Sequence, residues 1–357
     1  MIAIFILAGF VGLIAGGELL VRGASNLAVA AKVPPLIIGL TVVAIGTSAP
    51  ELAVSVQSCY RGETDLAVGN VVGSNLSNLL LILGAAAIVG PLSVSRQLFK
   101  LDIPVMIAAI AALFALGSDG SLSRGEGIAM AIATAVYLAW TVIEGKREGK
   151  RLEEELEDYT PDSEAAPEGW IAFFKNVFTS LGGLALLVYG AEWLVWGCVQ
   201  LAEAAGVSSA VIGLTIIAIG TSLPELVISV IASARGKRDL AVGNVVGSNI
   251  LNVLAVLGLS AVVAPEGVGV GKEFLEFHIP LTIAFSVACV PVFLTGMGVS
   301  RSEGIGMVFC YFAYIGWLVY LAMGDRGAPG YVSLVGFLAP LAVVMVGLAW
   351  GQRGKPR

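Results

Sequence analysis

Charge is scarce in this chain. Only 13% of its 357 residues are Asp, Glu, Lys or Arg, against about 25% in an ordinary soluble domain. Histidine is scarcer still. His278, in FHIPL, is the only one, and it reads as an interfacial or structural residue. The four cysteines (Cys59, Cys198, Cys289, Cys310) form no CxxC pair and lie in apolar segments. They read as small packing residues, so a transition-metal centre is poorly supplied. No nucleophile, base or cofactor motif accompanies the intramembrane glutamates Glu51 and Glu225, so neither enzyme chemistry nor a cofactor is expected. The net charge of −6 is not a general acidity. Eight of the 26 acidic residues fall between Glu153 and Glu168, in RLEEELEDYTPDSEAAPE. That polar, proline-containing stretch reads as a solvated linker and lacks EF-hand spacing. No nucleic-acid or protein partner is expected.

What the chain has in quantity is apolar sequence: 57% hydrophobic residues and a mean hydropathy of +0.91. Runs long enough to span a bilayer, about 20 residues, fall near 2–21, 35–60, 66–91, 102–118, 125–144, 171–201, 207–234, 240–263, 278–297, 303–323 and 330–350. Runs of this length fit helices better than barrel strands. The first, MIAIFILAGFVGLIAGGELL, has no basic n-region, so a cleaved signal peptide is not expected. With the N-terminus outside, sixteen Lys and Arg fall in cytoplasmic connections or the QRGKPR tail. Only Arg61, Arg124, Lys272 and Arg326 fall outside. The positive-inside rule therefore predicts a multi-pass plasma-membrane protein with its N-terminus outside and C-terminus cytoplasmic.

The sequence also matches itself. Residues 39–78 and 213–252 are identical at 27 of 40 positions without a gap. Glu18, Val21 and Gly23 meet Glu192, Val195 and Gly197, and SRGEGI (123–128) meets SRSEGI (300–305). Helices 1–5 and 6–10 are thus two copies of one unit. Five is odd, so the second copy must cross the membrane in the opposite sense. Inverted repeats are a recurrent transporter architecture, with the ion site near the midplane where they meet. The expected fold is an all-α polytopic membrane protein of two inverted five-helix repeats, with an eleventh C-terminal helix. Its expected segments are a first repeat (1–144, motif 39–80), an acidic cytoplasmic linker (145–170), a second repeat (171–323, motif 213–254) and an extra helix with a basic tail (324–357).

The repeated motif carries the chemistry. TVVAIGTSAPEL (41–52) and TIIAIGTSLPEL (215–226) each place a glutamate, Glu51 or Glu225, one residue after a proline inside an apolar run. Pro50 lacks an N–H, so the Gly46 carbonyl loses its donor and the helix bends. Thr47, Ser48 and Glu51 share one face at spacings of four and three, as do Thr221, Ser222 and Glu225. In the following helix Asn70, Ser74 and Asn78 form a polar stripe, repeated by Asn244, Ser248 and Asn252. Gly69, Gly73, Gly243 and Gly247 allow close helix packing. Every candidate ligand is a hard oxygen, which suits Ca²⁺ or Na⁺. Ionisable groups buried in a membrane are costly, so they mark function. Two carboxylates ~5 Å apart repel by about 3 kcal/mol at an effective dielectric of ~20. A site that can close only when loaded gives obligatory exchange.

At these residues the chain resembles the cation/calcium antiporter superfamily, specifically its sodium/calcium exchanger branch of prokaryotic type. The carriers are GTSAPE…GNVVGSNLSN and GTSLPE…GNVVGSNILN. The resemblance covers residues 1–323 and implies ten helices with four clustered ion sites. It implies that Glu51 and Glu225 bridge calcium, assisted by Thr47 and Thr221. Sodium sites would use Ser48, Ser74, Ser222 and Ser248 with the carbonyls of Ala44 and Ala218. Asn78 and Asn252 would complete the middle site. It further implies exchange of three Na⁺ for one Ca²⁺ by sliding of helices 1 and 6 across a fixed core. Some relatives, including potassium-dependent exchangers, have aspartate in place of Asn252, so potassium co-transport is not expected. The large regulatory loop of animal exchangers is absent between the halves. The nearest alternative is a proton/calcium antiporter of the same fold, in which protonation of Glu51 and Glu225 drives calcium release. The paired hydroxyls favour sodium, since protons do not need them. A cation channel would not need an occludable carboxylate pair.

Overall fold

The computed structural model describes residues 1–95, 97–157, 170–205, 216, 218–294 and 297–322. The expected span at 330–350 and the basic tail lie outside the described residues. So do most of 206–217 and the acidic residues from Asp158 to Glu168.

The first repeat comprises α1 (Ile2–Ala30), α2 (Pro35–Thr47), α3 (Ala49–Tyr60), α4 (Thr64–Val89), α5 (Leu98–Asp119) and α6 (Arg124–Glu157). The second comprises α7 (Trp170–Ala204), α8 (Leu223–Ala234), α9 (Arg238–Val263), α10 (Phe274–Leu294) and α11 (Arg301–Ala322). Among the described residues, eight single helices are long and apolar enough to span a membrane. The pair α2–α3 makes a ninth span, bent by 44°. Helix α8 takes the place of α3 in the second repeat, with a helical piece Ala218–Gly220 before it.

Two helices run longer than their apolar stretches suggest. α1 passes Arg22, which pairs with Glu18 at 2.6 Å one turn earlier, and continues to Ala30. α6 continues to Glu157 through GKREGKRLEEELE, where Lys, Arg, Glu and Leu, all good helix formers, outweigh Gly145 and Gly149. The start of the expected linker (145–170) is therefore helix.

Position in the bundle follows composition. The best windows of α4 and α9 are 83% buried, whereas those of α1, α6 and α7 are 39% buried or less. The peripheral helices turn apolar side chains outward: Ile128, Ile132, Val136 and Trp140 on α6, and Ile305, Phe309 and Phe312 on α11. Such stripes suit lipid contact. α1 and α7 pack along their length through glycines. A Cβ at Gly9 would lie 2.5 Å from Leu194 N, and one at Gly190 would lie 2.6 Å from Leu13 N. Small residues allow this backbone approach.

The short connections demonstrate the inversion. β1 (Leu92–Ser93), between α4 and α5, pairs antiparallel with β4 (Gly298–Val299), between α10 and α11. β2 (Ser121–Leu122), between α5 and α6, pairs likewise with β3 (Val268–Gly269), between α9 and α10. The third connection of each repeat thus shares a membrane face with the fourth of the other. One helix separates those connections within a repeat, so the two repeats run in opposite senses.

The SRxEGI match has a structural meaning. Ser123 and Glu126 form a reciprocal capping box at the start of α6, and Ser300 and Glu303 form one at α11. The adjacent arginines cross between repeats: Arg124 donates to the Ala264 carbonyl at 3.4 Å and Arg301 to that of Val89 at 3.2 Å. The last helix of each repeat is thereby tied to the third helix of the other.

His278 closes a π-helical turn, Phe274–His278, that runs into the rest of α10. Its Nδ1 lies 3.1 Å from the Tyr314 hydroxyl and its Nε2 3.5 Å from Glu273. None of the four cysteines forms a disulfide; Cys198 is half-buried and the others are buried.

Candidate cation site between the repeats

The bends build the site. Ser48 caps α3 with φ −79° and ψ 5°, and Ser222 caps α8 with φ −88° and ψ 5°. Pro50 and Pro224 sit in the first helical turn after each break, where a missing N–H costs nothing. The proline that bends the span also restarts it. Each restart places its glutamate in the first turn, Glu51 or Glu225, and both carboxylates are fully buried.

Glu51 and Glu225 lie within electrostatic range of each other. Across the pseudo-two-fold axis, each faces the serine of the other repeat. Ser48 donates to Glu225 Oε1 at 3.5 Å. Ser222 lies beside Glu51 without completing that bond and donates instead to Ser74 Oγ at 3.3 Å. Thr47 is fully buried next to Glu225. Its hydroxyl donates to Asn244 Oδ1 at 3.2 Å, as Thr221 does to Asn70 Oδ1 at 3.4 Å. The Ala44 carbonyl accepts the Ser48 N–H at 3.0 Å and lies 3.4 Å from the Thr47 hydroxyl. Ala218 begins the helical piece that precedes Thr221.

The middle of α4 and α9 supplies the rest. Both helices pass into a π-helical turn, Ser77–Ile82 and Asn252–Leu257, a local widening frequent at functional sites. Ser74, Asn78, Ser248 and Asn252 are all buried here. Asn78 Nδ2 donates to Asn249 Oδ1 at 3.0 Å, and Asn75 Nδ2 to the Asn249 carbonyl at 3.3 Å. The sequence stripe included neither Asn75 nor Asn249. Each lies one position beyond a serine of the stripe, about 100° around the helix.

Many of these atoms have no protein hydrogen-bond partner. Both oxygens of Glu51, Glu225 Oε2, Asn75 Oδ1, Asn78 Oδ1, Ser248 Oγ and both amide atoms of Asn252 are buried and have no protein hydrogen-bond partner. Leaving one such group unsatisfied costs about 1–3 kcal/mol, more when it is charged. A cluster this large at one place calls for a ligand that offers positive charge to oxygen. Nearly all the orphans are oxygens, and among the described residues no three His, Cys, Asp or Glu come together. The donor set fits a hard cation and does not fit a soft one.

Comparison with known proteins agrees with that chemistry. The family model described as "Sodium/calcium exchanger protein" matches residues 1–143 and 175–320. The chain belongs to the sodium/calcium exchanger family. The exchanger is 37% identical to a putative antiporter, CaxA, of Alkalimonas amylolytica, over 87% of this chain and 96% of that protein. It is 33% identical to the sodium/calcium exchanger MaX1 of Methanosarcina acetivorans, over 89% and 98% respectively. The solved structure of the sodium–calcium exchanger NCX_Mj soaked with 10 mM Na⁺ superposes with a TM-score of 0.75 at 28% identity, covering 88% of this chain and 99% of that one. The exchanger is thus a multi-pass membrane antiporter of the cation/calcium class, built as two inverted repeats.

The structure brings Thr47, Ser48, Glu51, Ser74, Thr221, Ser222 and Glu225 together through the contacts above. Ser248, Asn78 and Asn252 enter on the adjoining turns of α4 and α9. Sequence reasoning missed the cross-repeat links to Asn70 and Asn244, since partner identity across 151 or 197 residues leaves no local signal.

Proposed function

We propose that the exchanger is a secondary active antiporter that carries Na⁺ against Ca²⁺ by alternating access, with three Na⁺ moving for one Ca²⁺. The observation that carries this reading is the orphaned oxygen cluster around Glu51 and Glu225. Two negative charges balance one Ca²⁺. The surrounding neutral oxygens of Thr47, Ser48, Ser74, Thr221, Ser222, Ser248, Asn78 and Asn252, with the carbonyls of Ala44 and Ala218, give room for a third Na⁺. In this reading the glutamates bridge calcium with help from Thr47 and Thr221. The serines and alanine carbonyls serve sodium, and Asn78 and Asn252 hold the middle position. Asn252 is neutral, so the charge is two rather than three and potassium has no role. α1 and α7 form the pair that slides over the core of α4 and α9. In this reading the N-terminus lies outside and the acidic segment inside, in the plasma membrane of a prokaryotic cell, as the excess of Lys and Arg in the inner connections favours.

The deciding experiment is ⁴⁵Ca²⁺ uptake into proteoliposomes preloaded with Na⁺, K⁺, choline or an acid interior. Uptake that requires internal Na⁺ supports sodium exchange. Uptake driven only by the pH gradient replaces this reading with a proton/calcium antiporter, and uptake needing no counter-ion points to a channel.

A further inference from the structure

A hydroxyl that coordinates a cation must send its hydrogen elsewhere, because only its lone pairs attract the ion. At Thr47 and Thr221 the geometry offers that hydrogen an acceptor across the repeat boundary. Asn70 Nδ2 donates to the main-chain carbonyl of Glu51 at 3.2 Å and to Ser55 Oγ at 3.0 Å. A carbonyl can only accept, so this contact fixes which end of the Asn70 amide is nitrogen. Its oxygen, Oδ1, is left facing Thr221 across the repeat boundary, 3.4 Å away. Amide oxygen can only accept, so Thr221 must donate. The arrangement recurs around the pseudo-two-fold axis. Asn244 Nδ2 donates to the Glu225 carbonyl at 3.4 Å and to Ser229 Oγ at 3.1 Å, and Asn244 Oδ1 accepts from Thr47 at 3.2 Å.

We propose that Asn70 and Asn244 are positioning residues that orient the hydroxyls of Thr221 and Thr47 with lone pairs toward the cation. This rests on the assignment of those threonines as ligands in the preceding section. The competing acceptors explain why such a device is needed. Thr47 lies beside the Glu225 carboxylate, and its other acceptor is the Ala44 carbonyl of its own helix at 3.4 Å. Donation to either would occupy an oxygen that the ion requires. Asn244 draws the hydrogen away from both. Each asparagine also links the backbone of its own glutamate to the threonine of the opposite repeat, so both halves are set by one amide.

The test is a double-mutant cycle on the full-length exchanger in proteoliposomes, reading KM and kcat for external Ca²⁺ with Na⁺ inside. Asn244→Ala should raise KM about tenfold, as loss of a partner that orients a metal ligand does, with kcat changing less. In a Thr47→Ala background Asn244→Ala should add less than about twofold, because the hydroxyl it orients is gone. In a Thr221→Ala background it should add its full effect. Thr47→Ser keeps a hydroxyl and should keep the coupling. Should Asn244→Ala fail to reconstitute, the Asn70–Thr221 cycle reads the same relation from the other repeat. Equal effects of Asn244→Ala with and without the Thr47 hydroxyl would overturn the inference while leaving the threonines as ligands. A Thr47→Ala exchanger with unchanged KM for both Ca²⁺ and Na⁺ would remove the ligand assignment itself, and the inference with it.

Discussion

Ser48 of the first repeat donates to the Glu225 carboxylate of the second at 3.5 Å. Neither repeat therefore contains a site of its own. Each supplies a carboxylate at a helix restart, Glu225 accepting from Ser48 of the other repeat and Glu51 lying beside Ser222 of the other. The arrangement follows from inversion, which two strand pairs and two arginine–carbonyl contacts hold at both faces. The outer scaffold and the centre share one symmetry, so a movement that alters one half of the site alters the other.

Removing either charge should stop calcium exchange. Glu51→Gln or Glu225→Gln keeps the side-chain size but leaves one carboxylate to balance a divalent ion. Calcium uptake by either reconstituted variant should fall at least about 100-fold, since losing a charged ligand in a buried site costs roughly 3 kcal/mol or more. Monodisperse elution in detergent should be unchanged. Near-normal uptake by a well-folded variant would move the site elsewhere.

The glycine seam between α1 and α7 should tolerate no side chain. A Cβ at Gly16 would lie 2.5 Å from Leu187 N, a main-chain atom that cannot step aside. Gly16→Leu must separate the helices, at a cost of about 1–3 kcal/mol or more for an overpacked interface. We expect reduced yield and loss of transport. Gly182→Ala, where a Cβ would meet nothing within 4 Å, should behave as the parent does. Equal behaviour of the two variants in thermal unfolding would show that the seam is not tightly packed.

How much of this was readable beforehand depends on the range of the interaction. A bend ahead of Pro50 was legible because proline lacks a donor, though not that the helix would break at Ser48, and the duplicated GTSxPE made its importance plain. The polar stripes were legible because helical periodicity is local. The orientation of Asn70 was not, since its partners Glu51, Ser55 and Thr221 belong to two other spans. Asn75 and Asn249 fell off the stripe by one residue and were passed over, although both are buried at the centre. The two-residue strands left no trace either, because ladders so short have no period to detect. Helix ends were misjudged where hydropathy stopped before helix propensity did, at Arg22 and beyond Glu144. The SRxEGI repeat was visible as a match, but its role as a capping box emerged only from the contacts.

That cap should be worth stability and nothing else. Ser123 and Glu126 satisfy the exposed start of α6, away from the ion site. Ser123→Ala should cost about 1 kcal/mol, the usual value of a lost N-cap, seen as a lower midpoint of thermal unfolding in detergent. KM for Ca²⁺ should stay within about twofold of the parent, well inside the shift expected when a ligand is lost. A large change in KM at unaltered stability would assign this cap a part in transport.

The last expectation concerns voltage. If three Na⁺ move against one Ca²⁺, each cycle transfers one net positive charge, which is worth about 2.3 kcal/mol per 100 mV. The centre has the means to hold that surplus: two carboxylates and a surrounding set of buried neutral oxygens, several without a protein partner. Calcium uptake into Na⁺-loaded vesicles exports the positive charge, so an interior-positive potential should accelerate it. A potassium gradient with valinomycin imposes the potential, and initial ⁴⁵Ca²⁺ uptake reads the response under conditions where charge movement limits the rate. Rates indifferent to the potential would indicate electroneutral exchange. A reversal condition matching two Na⁺ per Ca²⁺ would indicate the same and leave the extra oxygens of Ser74, Ser248 and Asn252 without an ion to hold.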